Sequence, residues 1–262
     1  MDAAAAGAEF WVETGHDRLH ARCWPVPDAG PARPPIVLLH DSLGCVALWR
    51  NFPGRLAAAT GRRVIAYDRL GFGRSDPHPG RLGPGFVLEE AKGGLAAVLA
   101  RFGIGEFVAF GHSIGAGMAI AAASARSGTC RGVISESAQA LVEERTLAGI
   151  RAAQRQFAQP GQMARLERYH GAKAAWVLDA WTGTWLSPEW AGWNLDAELR
   201  AASCPILAIH GEGDEYGSAR HPERIAALAG GPVTVRLLPR CGHVPHREQE
   251  ADVLQAVAAF LA

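Results

Sequence analysis

Ser113 is the residue of this sequence with the strongest case for nucleophilic chemistry. It is the centre of GHSIGAG, residues 111–117, which follows the apolar run EFVAF and precedes a helical pattern of small residues. A sharp strand-to-helix turn exposes a serine hydroxyl, and glycines two residues before and after it let neighbouring backbone approach. A serine that only caps the helix is the alternative explanation. The context favours a nucleophile.

A serine hydroxyl needs a base that takes its proton, and two late histidines are candidates. His243 lies in the triplet CGH, after the strand pattern VTVRLL and before the last helix, and His246 lies three residues further along. The base in turn needs an anion that fixes its tautomer. Carboxylates follow two strands: Asp214, within IHGEGDEYG at residues 209–217, and Glu136, at the end of GVISES.

The stretch HDSLG, residues 40–44, contains the three residue types of a catalytic triad in a row. Adjacent residues cannot converge on one point, so this stretch does not form a triad. It follows the apolar run Pro35–Leu39, and a loop in that place can present a backbone N–H to an oxyanion, which needs two fixed donors. The N–H of Ile114, the residue after the nucleophile, is the other expected donor.

Strand and helix patterns alternate along the chain and would position these groups. The predicted strands are Phe10–Glu13, Leu19–Trp24, Pro35–His40, Arg63–Asp68, Glu106–His112, Arg131–Glu136, Pro205–His210 and Val233–Leu238. The predicted helices are Cys45–Thr60, with a break or second start at Pro53, Phe86–Phe102, Ile114–Arg126, Glu223–Ala229 and Glu248–Leu261. Such alternation predicts an α/β fold, a mostly parallel sheet covered on both faces, with active groups at the carboxyl ends of its strands.

The alternation stops between about Ala138 and Arg200, where we find helical patterns and no convincing strand. A structureless loop of that length is uncommon, so we expect a small helical subdomain on the sheet. The predicted organisation is a first core part at 1–137, a helical cap at 138–200 and a second core part at 201–262.

With Ser113 in this context, and with the chain order serine, acid, histidine, the sequence resembles the α/β-hydrolase superfamily. The loop DRLGFGRSD, residues 68–76, is similar to that superfamily's D-x-x-G-x-G-x-S loop. The resemblance covers nearly the whole chain. It implies an eight-stranded, mostly parallel sheet with an antiparallel second strand, flanked by helices, and a helical cap inserted after the sixth strand.

The resemblance also implies the other members of a triad. His243 matches the Gly-His pattern that precedes a helix with an acidic residue, and His246 then becomes a helix-start or rim residue. Asp214 matches the G-x-x-D offset of the acid. Glu136 is the competing acid, because the resemblance includes members of the superfamily that place the acid at the end of this strand.

The HDSLG loop matches the superfamily's H-G-x loop, which implies that the backbone N–H of Ser42 is the second oxyanion donor, its hydroxyl being secondary. Asp41 stands where the family has Gly. Aspartate is among the few residues that tolerate a positive φ. We expect Asp41 to cap the following turn through its carboxylate, directed away from the oxyanion hole; a role in substrate selection is the alternative.

Five of the eight tryptophans fall in the predicted cap, and WVLDAWTGTW places Trp181 and Trp185 one helical turn apart. They either pack the cap against the core or line an acyl pocket, since aromatic side chains commonly line ligand clefts. We predict a pocket formed by Leu43, Trp49, Trp181 and Trp185, and Ile114 is a further candidate for its wall.

Composition excludes several classes of partner. The 26 basic and 26 acidic residues give no net charge, which argues against nucleic acid. No apolar stretch reaches the 18 residues of a membrane helix, and the N-terminal MDAAAAGAEF lacks the basic start of a signal peptide. The five cysteines are odd in number and form no CxxC pair, which indicates free thiols in a reducing compartment. We expect a cytoplasmic protein.

Together these features predict a serine hydrolase, without cofactor or metal, that cleaves a small-to-medium, partly apolar carboxylic ester. The alternatives are a hydrolase of carbon–carbon bonds in diketones or ring-cleavage products, a thioesterase, a lactonase, or a ligand receptor on the same fold. The serine nucleophile argues against the alkyl-enzyme chemistry of haloalkane dehalogenases and epoxide hydrolases of this fold, which use aspartate. An acyl carrier protein is a further candidate partner, with docking arginines at Arg145, Arg151, Arg155, Arg165 and Arg168.

Overall fold

A computed structural model describes residues 7–26 and 33–262 of the chain. The first six residues, on which the expectation about a signal peptide mainly rests, lie outside the described ranges. Eight strands of the described residues form one sheet: β1 Ala8–Glu13, β2 Arg18–Trp24, β3 Ile36–Leu39, β4 Val64–Tyr67, β5 Phe107–His112, β6 Cys130–Glu136, β7 Ile206–Gly211 and β8 Val233–Leu238.

The strand order in the sheet is β1-β2-β4-β3-β5-β6-β7-β8. Strand β2 runs antiparallel to both of its neighbours, and the remaining neighbours pair in parallel. This topology confirms the predicted fold class, including the reversed second strand. It also brings the carboxyl ends of β3, β5, β6 and β7 to one edge of the sheet, where the loops that follow them meet.

Helices cover both faces of the sheet: α1 Phe52–Thr60, α2 Phe86–Lys92, α3 Gly94–Arg101, α4 Ile114–Ala125, α5 Glu144–Phe157, α6 Met163–His170, α7 Ala174–Trp185, α8 Asp196–Ala201, α9 Arg220–Leu228, α10 Pro245–Glu248 and α11 Glu250–Phe260. Alternate residues of β3 point to opposite faces, so Val37 and Leu39 join one apolar cluster while Ile36 and Leu38 join another. Each cluster is buried by helices on its own side. None of the described helices has the length and apolar character that a membrane span requires.

Two predicted helices are each divided. The stretch from Cys45 to Thr60 forms a short 3₁₀ helix, Val46–Trp49, followed by α1, with Pro53 in the first turn, where its missing N–H costs no hydrogen bond. The stretch from Phe86 to Phe102 changes direction at Gly93, whose φ of −102° and ψ of −90° are not helical.

The segment between β6 and β7 contains α5 to α8. An isolated antiparallel bridge between Leu141 and Asn194 joins its two ends. Near the middle of the segment, Lys173 donates to the carbonyls of Gly73 and Ser75, 3.0 and 2.7 Å away. These contacts place the helices over the carboxyl edge of the sheet; α8, which ends at Ala201, crosses the predicted boundary at residue 200.

Candidate active site

Ser113 lies in the turn between β5 and α4 with φ 58° and ψ −123°, a conformation that L-residues rarely adopt. The flanking glycines make this turn sterically allowed. A Cβ on Gly111 would lie 2.0 Å from the carbonyl oxygen of Gly115, and a Cβ on Gly115 would lie 2.2 Å from that of Leu39. The strained turn presents the hydroxyl at the carboxyl edge, as expected for a nucleophile.

The structure brings together Ser113, His243 and Asp214, which are far apart in the sequence. His243 Nε2 lies 3.1 Å from Ser113 Oγ, and His243 Nδ1 lies 2.9 and 2.8 Å from the two carboxylate oxygens of Asp214. Oδ1 of Asp214 also accepts the N–H groups of Tyr216 and Gly217. Burial raises the pKa of Asp214, but the hydrogen bond and charge of His243, together with the N–H of Tyr216, outweigh burial and lower the pKa.

Glu136 does not contact His243 in this arrangement. Its carboxylate lies 2.5 Å from Nδ1 of His246, and both side chains are buried. His246 was expected at a helix start or on the rim. It does lie in α10, yet the rim assignment is wrong, because its ring packs at 4.7 Å from Trp49 and 5.3 Å from Phe52. Three positions after His243, the chain has entered α10, and the side chain of His246 faces the core.

The loop after β3 is held rigidly. His40 donates from Nδ1 to the carbonyl of Asp41 at 2.8 Å and accepts the N–H of Arg69 at Nε2. Burial, together with the Arg69 charge, lowers the pKa of His40 to about 3, so the ring is neutral and can keep both roles. Leu43 donates its N–H to Asp41 Oδ1 at 2.7 Å, and His170 of α6 lies 3.1 Å from the Leu43 carbonyl.

The N–H groups of Ser42 and Ile114 have no hydrogen-bond partner in the described part of the chain. Ser42 lines the same cavity as Ser113, and Ile114 follows Ser113 directly. Two unused backbone donors beside a serine hydroxyl are the arrangement that an oxyanion requires.

Asp41 caps its turn, as expected, through the bond from Leu43. The φ of Asp41 is not positive: the described residues other than glycine with positive φ are Arg50, Ser113, Ser137 and Arg240. The aspartate therefore does not replace glycine for conformational reasons. Its second oxygen lies 3.3 Å from Nδ1 of His112.

A cavity of about 150 Å³ opens beside Ser113 and His243. Its other lining residues are Asp41, Ser42, Leu43, His112, Gln139, Thr146, Ile150, Trp181, Trp185, Tyr216 and Val244. The predicted pocket residues Leu43, Trp181 and Trp185 are among them. Trp49 is not, because it packs in the core between Phe52 and Phe110. Ile114 is likewise in the core.

The sequence motifs did not predict Gln139 at the site, where its Oε1 lies 3.1 Å from Ser113 Oγ. A hydroxyl has one proton and cannot donate to both Gln139 and His243. With its amide rotated by 180°, Gln139 donates to Oγ instead, and the serine proton is left for His243. The residue belongs to no motif; its only signal is its place three residues after the end of β6, at the edge where the other groups converge.

The alpha/beta hydrolase family matches residues 36–256. Among curated proteins, an epoxide hydrolase B of Mycobacterium tuberculosis is 34% identical over 119 residues, which are 45% of this chain and only 32% of that protein. The chain therefore spans about a third of the length of this relative.

Solved structures show the same fold. An esterase from Thermogutta terrifontis superimposes with a TM-score of 0.74 at 21% identity, covering 97% of this chain and 98% of the other. The proline iminopeptidase of Mycobacterium smegmatis gives a TM-score of 0.72 at 20% identity, covering 97% of each chain.

Proposed function

This chain belongs to the alpha/beta hydrolase family, and from the geometry of its site we propose that it is a serine hydrolase of a small, partly apolar carboxylic ester. The observation that carries the proposal is the continuous contact from Ser113 through His243 to Asp214. A serine oriented by an imidazole, itself oriented by a buried carboxylate, is the machinery of acyl transfer.

In the proposed reaction, Ser113 Oγ attacks the ester carbonyl while His243 Nε2 takes its proton. The N–H groups of Ser42 and Ile114 stabilise the oxyanion. The imidazolium then gives its proton to the leaving alcohol, and an acyl-enzyme remains. Water attacks that ester with His243 again as the base, and Ser113 is regenerated. Asp214 stays ionised throughout and holds the imidazole in its tautomer.

The cavity supports a short acyl group. Leu43, Ile150, Trp181 and Trp185 give it apolar walls around about 150 Å³. No lysine or arginine is among the described residues that line it, so the cavity offers neither of these side chains to the carboxylate of a ring-cleavage product. The mycobacterial relative is named an epoxide hydrolase, but the serine at position 113 supports an acyl-enzyme rather than the alkyl-enzyme that an aspartate would form.

The proposal is tested with p-nitrophenyl acetate, butyrate and octanoate. We expect turnover of the short esters, a lower kcat/KM for octanoate, and loss of turnover in Ser113→Ala. Ser127→Ala is the matched control, because Ser127 is exposed and lies outside the cavity. Trp185→Ala should enlarge the cavity and raise octanoate kcat/KM relative to acetate.

A fluorophosphonate probe supplies a readout that is independent of the ester chosen. Mass spectrometry should place the probe on Ser113 in the wild type and in Ser127→Ala. Equal ester hydrolysis by wild type and Ser113→Ala, with no phosphonylated serine, would contradict the proposed function.

A further inference from the structure

A second polar residue of the nucleophile turn, His112, joins two loops of the site. Its Nδ1 lies 3.3 Å from Oδ2 of Asp41, in the loop after β3. Its Nε2 lies 2.8 Å from the backbone carbonyl oxygen of His243, in the loop after β8. The ring is buried. One side chain therefore contacts both the loop that carries the Ser42 N–H and the loop that carries the general base.

The protonation state of this ring follows from its two partners. A carbonyl oxygen only accepts hydrogen bonds, so His112 Nε2 must carry a proton. An ionised carboxylate also only accepts, and an unprotonated Nδ1 would direct a lone pair at it. Burial raises the pKa of Asp41, but the contacts with His112, the charge of His40 and the N–H of Leu43 together outweigh burial and lower the pKa. A proton on Nδ1 as well as on Nε2 would suit both partners of the ring and make His112 an imidazolium.

Other titratable groups face the ring from each element packed against it. Glu136, at the end of β6, adds a negative charge, and the rings of His243 and His246 lie 5.1 and 5.0 Å from His112. Burial lowers the pKa of His112, but the Asp41 and Glu136 carboxylates outweigh it and raise the pKa. The charged environment agrees with the hydrogen-bond argument.

The same arrangement argues against a metal ion at this place. Ligand atoms of His112, Glu136 and His246 lie within 4.8 Å of one another. A metal ligand must offer an imidazole lone pair, and both nitrogens of His112 already face acceptors. Binding a metal would require the ring to give up its contact with Asp41 or with His243.

We propose that His112 is a positioning residue: as an imidazolium it cancels the Asp41 charge beside the oxyanion hole and ties the oxyanion loop to the loop of the catalytic histidine. The function of Asp41 follows from this pairing. The Asp41 carboxylate fixes the turn through Leu43. Without a positive partner, that carboxylate would repel the negative charge that develops on the substrate oxygen bound by the adjacent Ser42 N–H. The neighbouring imidazolium removes that opposition.

The inference rests on the proposed hydrolase function for its kinetic test, which is a double-mutant cycle on a short ester. His112→Gln removes the charge and keeps a donor toward the His243 carbonyl, and Asp41→Asn removes the carboxylate and keeps an acceptor for Leu43. We expect His112→Gln to lower kcat about 10- to 100-fold in the wild type, with KM little changed, and less than about threefold in the Asp41→Asn background.

His16→Gln is the matched control, because His16 is exposed on the β1–β2 turn, and it should leave kcat unchanged. The pH profile gives a second signature. As pH rises, His112 loses its proton and leaves Asp41 unpaired, so wild-type kcat should fall on the alkaline side, and Asp41→Asn should lack that decline. Equal costs of His112→Gln in both backgrounds would overturn the proposal.

Nitrogen-15 NMR of the histidine rings tests the charge without any substrate. Near pH 7 the ring that disappears in His112→Gln should show two protonated nitrogens in the wild type, and one in Asp41→Asn. A neutral His112 in the wild type, or a ring nitrogen shifted by added Zn²⁺, would contradict the inference even in an active enzyme. The two proposals fail separately. If the protein neither hydrolyses esters nor reacts with the fluorophosphonate, and His112 is nevertheless charged, the proposed function is contradicted and the charge pairing is not.

Discussion

Two of the acid–histidine pairs near the nucleophile turn contain the candidates for the triad, and only the pair of Asp214 and His243 reaches Ser113. Asp214 follows β7 and contacts His243 at 2.8 Å; Glu136 ends β6 and contacts His246 at 2.5 Å. The second acid and the second histidine are the two competitors that the sequence offered for the triad. They pair with each other.

The two pairs differ in access rather than in chemistry. The His243 side chain is 11% exposed, borders the cavity and directs Nε2 at Ser113. The His246 side chain is 3% exposed and lies against Trp49. Burial lowers the pKa of His246, while the charge of His246 and its hydrogen bond hold the pKa of Glu136 low despite burial. An acid–histidine pair becomes a general base only where its second nitrogen faces a nucleophile.

The largest expected effect separates the acids. Asp214→Asn removes the acceptor that fixes the His243 tautomer, so we expect kcat to fall by roughly 10⁴-fold. Glu136→Gln, the matched change in the buried pair, should lower kcat by less than about tenfold, since the Glu136 side chain touches no reacting group. Steady-state kinetics on a short ester decides the question. A near-normal Asp214→Asn with an inactive Glu136→Gln would reverse the assignment.

The next effect is on stability and concerns the buried pair. His246→Leu leaves the Glu136 carboxylate buried without its donor, which we expect to cost about 3–5 kcal/mol of unfolding free energy. Replacing both, as Glu136→Met with His246→Leu, should recover most of that cost. Urea unfolding with a constant m-value measures the change. If the unfolding free energy of His246→Leu lies within about 1 kcal/mol of the wild-type value, the pair is not a stabilising charge contact.

The smallest effect is the pH dependence of stability. Histidines whose pKa is lowered in the folded protein, such as His246 and His40, are protonated more readily in the unfolded chain. Stability must therefore fall as pH falls below about 6.5, because the unfolded state then binds more protons. With a folded pKa of about 3, His40 alone accounts for about 2 kcal/mol between pH 6.5 and pH 5.

His112 acts in the opposite direction, because its pKa is raised in the folded protein. Its contribution to stability is fully present below the unfolded pKa and is lost as pH rises through the folded pKa. Urea unfolding at pH 5.0, 6.0 and 7.5 measures the balance. His246→Leu should show a shallower loss toward acid than the wild type, and the exposed His16→Gln should not. A flat profile in the wild type would contradict the neutral state of the buried histidines.

Much of the fold was predictable because the patterns behind it are local. Short apolar runs between helices indicated a parallel sheet, and the order of motifs indicated the reversed second strand through a family resemblance. The division of the Phe86–Phe102 helix at Gly93 was not predicted, since apolar periodicity continues across the break. The burial of Trp49 was not predicted either, because an aromatic residue in the segment after a strand is equally compatible with a cavity wall and with the core.

The sequence by itself determined the turn at Ser113. A Cβ on Gly111 would lie 2.0 Å from the carbonyl oxygen of Gly115, a requirement that is local to the turn, whereas the 2.2 Å contact at Gly115 involves Leu39 of β3. Only the tertiary structure decided the pairing of the acids with the histidines, and the place of Gln139 beside the nucleophile. Glu136 and His246 are 110 positions apart, and the strand order and the directions of the loops bring them together. Spacing along the chain does not encode which side of a short turn a side chain faces; the shape of the packed core does.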